Sequence, residues 1–297
     1  MSCSTNSRIR KILGSFLIAS SLIVSAITTA EEGLPLFWWK EGNFVNFGDY
    51  VSYILVERIV GGPLKSYNKR SPAQEQKLLA SGSIYYFAYE GDVVWGSGIN
   101  GKRPNKSDYL FNSLDIRSVR GPITRQFLWE NFGILAPEIY GDPALLFPYL
   151  FPEFKRRENP ENDYLVIIHY LDGGHFVNSD DPHLISVVEP WDLIIREILN
   201  SKLVISSSLH GVVLAEAYGI PARLLRLSEN EPLLKFYDYY QGTGRSEFTF
   251  ATSVEEALAM GGEPKIQCDL EKVYNAFPFE FWPNSNFPII DFSYKAH

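Results

Sequence analysis

The chain has 297 residues, of which 45% are hydrophobic and 21% charged, with a formal net charge of -8. This excludes a disordered, collagen-like or disulfide-built chain and allows a sizeable core, in one large α/β domain or two domains of ordinary size. The acidic balance gives no electrostatic footprint for a nucleic acid, so no nucleic-acid partner is expected, although a local pocket for a small anion remains compatible with it.

Arg8, Arg10 and Lys11 precede an uncharged apolar stretch, Ile12 to Ala30. Residues 1–30 therefore read as a signal peptide or a signal anchor. Thr28 and Ala30 are small enough for a cleavage site, and the stretch approaches the length of a membrane span. The expected location is the secretory pathway, periplasmic or secreted, with membrane association through residues 12–30 if the leader is kept. Cys3 and Cys268 are the two cysteines, so a cleaved chain keeps one thiol and no intrachain disulfide. The five histidines are scattered, and no metal site is expected.

In chain order, Leu34 to Trp39 reads as the first strand of residues 34–150, the first Rossmann-like unit. Asn46, Gly48 and Asp49 stand before an amphipathic helix whose apolar stripe is Val51, Ile54, Leu55 and Ile59. Asp49 is placed as its N-cap, and capping alone would account for it. Gly61, Gly62 and Pro63 end the helix. Leu64 to Tyr67 reads as a strand, Lys77 to Ala80 as a short helix, and Ile84 to Ala88 and Val93 to Gly96 as strands. The second of these opens into a glycine-rich loop, Gly96-Ser97-Gly98-Ile99-Asn100-Gly101. Such a loop lets backbone approach a ligand, or simply makes a turn. Arg117, Arg120 and Arg125 flank a strand, a Gly-Pro turn and a helix start, where an arginine serves either an anion or an ion pair. Tyr140 to Ala144 places Asp142 at a strand exit.

Residues 151–162 are polar and charged and read as a linker to the second unit, residues 163–265. Its first strand is Tyr164 to His169. Leu184 to Val188 and Trp191 to Leu199 follow as strand and helix. Leu203 to Ile205 then runs through the serine turn Ser206, Ser207 and Ser208 into a helix bearing His210, which Gly219 and Pro221 stop. His210 sits where doubly wound sheets hold ligands, at a helix N-terminus beyond a strand's carboxyl end; capping or packing is the plain alternative. Residues 266–297 form an aromatic segment expected to pack on the core. The fold class is α/β, with two Rossmann-like domains facing a cleft.

These motifs, N-F-G-D at 46–49, W-G-S-G at 95–98, R-S-V-R-G-P-I-T-R at 117–125, Y-G-D-P-A at 140–144 and the stretch Leu203 to Pro221, resemble the polysaccharide pyruvyl transferase family. The resemblance implies a GT-B-like fold with its active site between the domains. It also implies transfer of the enolpyruvyl group of phosphoenolpyruvate, a co-substrate and not a cofactor, onto a glycan or polysaccharide acceptor. Phosphate would leave and a pyruvate ketal would form. His210 becomes the first catalytic candidate, with Asp49 or Asp142 as second acid-base or orienting group and Arg120 as anion clamp. Asn46, Gly48, Gly96, Ser97, Gly98, Arg125, Ser206, Ser207 and Ser208 are candidate substrate-binding residues. Ser208 departs from several relatives, which carry arginine there. The leader also departs, since many bacterial relatives look cytoplasmic. A nucleotide-sugar-dependent GT-B glycosyltransferase and a noncatalytic glycan-binding relative are the alternatives.

Overall fold

The computed structural model describes residues 33–40, 42, 45–67, 75–176 and 181–293, so the leader lies outside the described residues. Short strands build two parallel sheets whose central strands are buried throughout, as expected when helices cover both faces. The first sheet contains β1 (Leu36–Phe37), β2 (Ser66–Tyr67), β3 (Leu78–Leu79), β4 (Val93–Trp95) and β5 (Asp115–Ser118), in the order β2-β1-β3-β4-β5. The second contains β6 (Leu165–Ile168), β7 (Leu184–Ser186), β8 (Val204–Ser206), β9 (Ala222–Leu225) and β10 (Phe250–Ala251), in the order β10-β9-β8-β6-β7. Both follow one winding, in which the chain moves outward from its first strand and then reverses. This is the α/β class with two Rossmann-like halves. Each sheet has a switch point, between β1 and β3 and between β6 and β8, where strand exits leave a crevice.

The principal helices are α1 (Phe47–Val60), α2 (Pro122–Phe132), α3 (Phe147–Leu150), α4 (Trp191–Leu199), α5 (Leu209–Ala217), α6 (Leu234–Gly242), α7 (Val254–Met260) and α8 (Leu270–Asn275). One core joins the halves. Leu36, Leu78, Val93 and Trp95 from the first sheet and Leu165, Ile167, Val204 and Leu224 from the second meet the apolar faces of α1, α4 and α5 within it. All nine residues of α5 are buried, which explains why its sequence is apolar on every side. The opposite face of the first sheet packs Phe37, Leu79 and Val94 against Tyr85, Phe111 and Leu128.

Several elements differ from the sequence reading. Residues 77–80, read as a helix, contain strand β3, and residues 84–88, read as a strand, contain a 3₁₀ turn at Tyr85–Phe87. A short apolar run carries no periodicity that separates the two, and pairing with β1 and β4 decides the first case. The stretch 151–162 connects the halves, but Phe151 and Phe154 are anchored in the core, with Phe154 5.6 Å from Trp191 between ring centroids. The aromatic segment after residue 266 returns to the first sheet. Trp95 Nε1 donates to the Val273 carbonyl at 2.7 Å, and Phe277 stacks on Trp282. No helix among the described residues is long and apolar enough to cross a membrane.

Candidate active site

The carboxyl edges of the two sheets face a common cleft of about 860 Å³. Its lining follows the two switch points. Trp39 and Lys40 leave β1, Ser83 and Ile84 follow β3, His169 and Tyr170 leave β6, and Ser208, Leu209 and His210 follow β8. Asn46 and Asp49 contribute the start of α1.

Asn46, not Asp49, caps α1. Its side-chain oxygen accepts from the Gly48 amide at 2.9 Å, which puts Asp49 in the first turn, lining the cleft. Gly48 packs against the imidazole of His210, and a Cβ at this position would lie 2.6 Å from Nδ1. Glycine is thus required where the two halves meet at the histidine.

His210 and Asp142 are far apart in sequence and adjacent in space. The Ser81 hydroxyl donates to Asp142 Oδ1 at 2.5 Å and lies 2.9 Å from His210 Nε2. A hydroxyl has one proton, so with that proton on the carboxylate it accepts from Nε2–H. Nε2 therefore carries the proton of the neutral ring, and Nδ1 is its basic nitrogen. Asp142 Oδ2 has no hydrogen-bond partner among the described residues and lies 3.5 Å from Nε2, placed to stabilise an imidazolium. Burial pushes the Asp142 carboxyl up. The imidazole outweighs it, aided by the Ser81 hydroxyl and the Ala144 amide, and holds the carboxyl below its ordinary range. This is a base oriented by a buried acid, the arrangement that general acid-base catalysis needs.

Of the remaining sequence candidates, all but Ser208 stand behind the cleft wall. Arg120 does not reach the cleft as a clamp, because it is fully buried and its donors are committed to Asp238, Ser83 Oγ and the Ile99 carbonyl. A Cβ on Gly98 would lie 2.4 Å from its guanidinium. Arg125 binds the Ala136 carbonyl and pairs with Glu138 outside the cleft. Gly96 lies against Pro143 beside Asp142, and Ser97 donates to the Gly82 carbonyl at 3.0 Å and so supports the 82–84 loop. Ser206 bonds the carbonyls of Ile167 and Ser208, and Ser207 accepts the His169 amide at 2.9 Å. Of the three serines, Ser208 lines the cleft.

Sequence reasoning missed Ser81, Ser83 and the charged end of the cleft. Lys102, Arg103, Glu231 and Lys235 line that end, with Lys102 2.5 Å from Glu231 and Lys235 paired to the same carboxylate. The Lys102-Arg103 pair after the glycine-rich loop was a legible signal, whereas Lys235 inside a helix gave none. Burial pushes the Glu231 carboxyl up, but Lys235 and Lys102 hold it down at about 2. Burial also lowers the Lys235 ammonium, against the pull of Glu231. His169 is pushed down to about 4 by burial and by Lys235, so it is neutral near pH 7. Its Nδ1 accepts the Leu171 amide at 3.3 Å, which leaves the proton on Nε2. Trp39 and Phe87 stack at 4.8 Å on the N-terminal side of the cleft. No group of metal-ligating side chains is present among the described residues.

Fold and site together define a two-sheet α/β protein with an acid-base array between its halves. The family model for polysaccharide pyruvyl transferases matches residues 46–229, and the chain belongs to that family. It is 26% identical over 247 residues to the uncharacterized protein L143 of Acanthamoeba polyphaga mimivirus, over 78% of this chain and 84% of that one. It is 29% identical over 220 residues to the succinoglycan biosynthesis protein ExoV of Rhizobium meliloti (strain 1021), over 71% of this chain and 65% of ExoV. Among solved structures, the functionally uncharacterized protein KP1_0663 of Klebsiella pneumoniae aligns with a TM-score of 0.42 at 14% identity. That alignment covers 74% of this chain and 93% of the other.

Proposed function

We propose that this protein transfers the enolpyruvyl part of phosphoenolpyruvate onto hydroxyls of a polysaccharide or glycan, closing a pyruvate ketal and releasing phosphate. The observation that carries this reading is the Ser81, Asp142 and His210 array at a cleft lined by four cations in a chain of net charge -8. Family membership and the ExoV relative, named for succinoglycan biosynthesis, support polysaccharide pyruvylation in general. The two parallel sheets facing one cleft fit a GT-B-like arrangement.

In this reading the sugar oxygen attacks the enol carbon of the donor while His210 Nδ1 takes the hydroxyl proton. The donor's methylene carbon gains a proton and becomes the ketal methyl. A second hydroxyl of the same sugar then replaces phosphate at that carbon, and its proton leaves with the phosphate. One donor and one diol thus give one ketal and one hydrogen phosphate. Ser81, held by Asp142, accepts Nε2–H, Asp142 stabilises the imidazolium, and Asp49 on α1 is the second acid-base candidate.

The test is phosphate release from phosphoenolpyruvate by the full chain, across glycosides that include β-galactosides and N-acetylmannosamine acceptors. Acceptor-dependent release with pyruvate on the sugar is the expected result. Turnover of a nucleotide sugar instead would favour an ordinary glycosyltransferase, and binding of neither donor a noncatalytic glycan-binding protein.

A further inference from the structure

The proposed donor carries a phosphate, yet none of the three arginines of the 117–125 segment lines the cleft. Arg117 pairs with Asp115 and Glu280, Arg120 with Asp238 and Arg125 with Glu138, and Ser208 beside His210 brings no charge. The cleft's own cations lie elsewhere. Lys40 stands at the exit of β1, Lys102 and Arg103 come from the loop after β4, also in the first half, and Lys235 from the first turn of α6, in the second. The loop is built against that helix. A Cβ on Gly101 would lie 3.1 Å from Leu234 Cβ, and the Asn100 side chain accepts the Lys102 amide at 2.8 Å. Behind both, the fully buried Arg120 binds the Ile99 carbonyl of the loop and Asp238 of α6. Arg120 therefore fixes the distance between the two sources of positive charge without touching the cleft.

We propose that Lys102, Arg103 and Lys235 form the seat of the donor phosphate, with Glu231 as the counter-ion that the phosphate displaces and the Arg120–Asp238 pair as its frame. This inference rests on the donor proposed above. The geometry favours a doubly charged oxyanion over a neutral sugar. Lys102 and Lys235 converge on one carboxylate, and Arg103, lying over the Tyr86 ring, has no carboxylate partner among the described residues. His169, neutral with Nε2 protonated, adds a hydrogen-bond donor to the same end of the cleft. His210 lines the same cleft as these cations.

The experiment measures the Kd of inorganic phosphate, together with donor KM, acceptor KM and kcat, for the full chain and three variants. Lys102 and Arg103 are exposed, so Lys102→Gln with Arg103→Gln leaves folding intact. That double variant should raise phosphate Kd and donor KM roughly 10- to 100-fold, with acceptor KM little changed. Lys235→Gln should act in the same direction. Glu231→Gln should tighten phosphate several-fold at low salt, because a competing carboxylate is gone, whereas a merely structural Glu231 would give weaker binding. Unchanged phosphate affinity in the double variant would overturn the site. Phosphate binding that needs these residues, without turnover of phosphoenolpyruvate, would keep the seat and remove the donor assignment. Turnover with unchanged donor KM in the double variant would keep the donor and remove the seat.

Discussion

At the scale of single residues, the site depends on the orientation of one imidazole. Asp142→Asn replaces the carboxylate beside Ser81 and Nε2 with a neutral amide, so the Ser81 hydroxyl is held less firmly as the acceptor of Nε2–H and the imidazolium loses its counter-charge. The expected result is a fall in kcat of roughly 10²- to 10⁴-fold with the thermal midpoint little changed, measured by phosphate release. Gly48→Ala tests the other side of the ring. Its Cβ would stand 2.6 Å from Nδ1, so the ring must move, and kcat should fall while far-UV circular dichroism is preserved. His169 contributes a pH dependence of known sign. Its folded pKa of about 4 lies below its ordinary 6.5, so between those values the unfolded chain binds the proton and the folded one does not. The associated stability is present above pH 6.5 and is lost as pH falls toward 4. Denaturant midpoints across this range should fall less steeply for His169→Asn.

At the scale of elements, the buried ion pairs do the positioning. Arg120 and Asp238 are both fully buried, and Asp238 also accepts the Thr124 amide and hydroxyl. Asp238→Asn leaves an uncompensated guanidinium between α2 and α6, and it should cost about 3–5 kcal/mol, read from the denaturant midpoint. Glu216 plays a similar part at the end of α5, bound by Arg245 and the Tyr239 hydroxyl. Much of this level was legible. The α1 stripe, the strand, turn and helix around His210, and the stops at Gly61 and Gly219 all follow from periodicity and backbone chemistry. Lys77 to Ala80 and Ile84 to Ala88 were misread because such short runs take their conformation from sheet partners. The site divided in the same way. His210 was legible because a turn put it at a helix start, and Arg120 was legible as important, but the direction of its side chain was not.

At the scale of the whole molecule, the two halves share one core rather than resting against each other as separate bodies. Unfolding should therefore be a single transition, with tryptophan fluorescence and far-UV circular dichroism coincident in urea. Two resolved transitions would contradict a shared core. Removal of residues 270–297 takes away the backbone acceptor of Trp95 and the rings of Phe277 and Trp282, so the first sheet should lose stability with it.

The sequence by itself determined the alternation of strands and helices, the placement of His210 beyond a strand and the motifs of the family, because these depend on neighbours a few residues apart. Only the tertiary structure decided that Ser81, Asp142 and His210 form one hydrogen-bonded array. It alone decided that Arg120 faces inward, and that Lys102, Arg103 and Lys235 edge the cleft. Those outcomes depend on which strand exits the parallel winding brings together and on which charges find buried partners, and neither is encoded in local spacing.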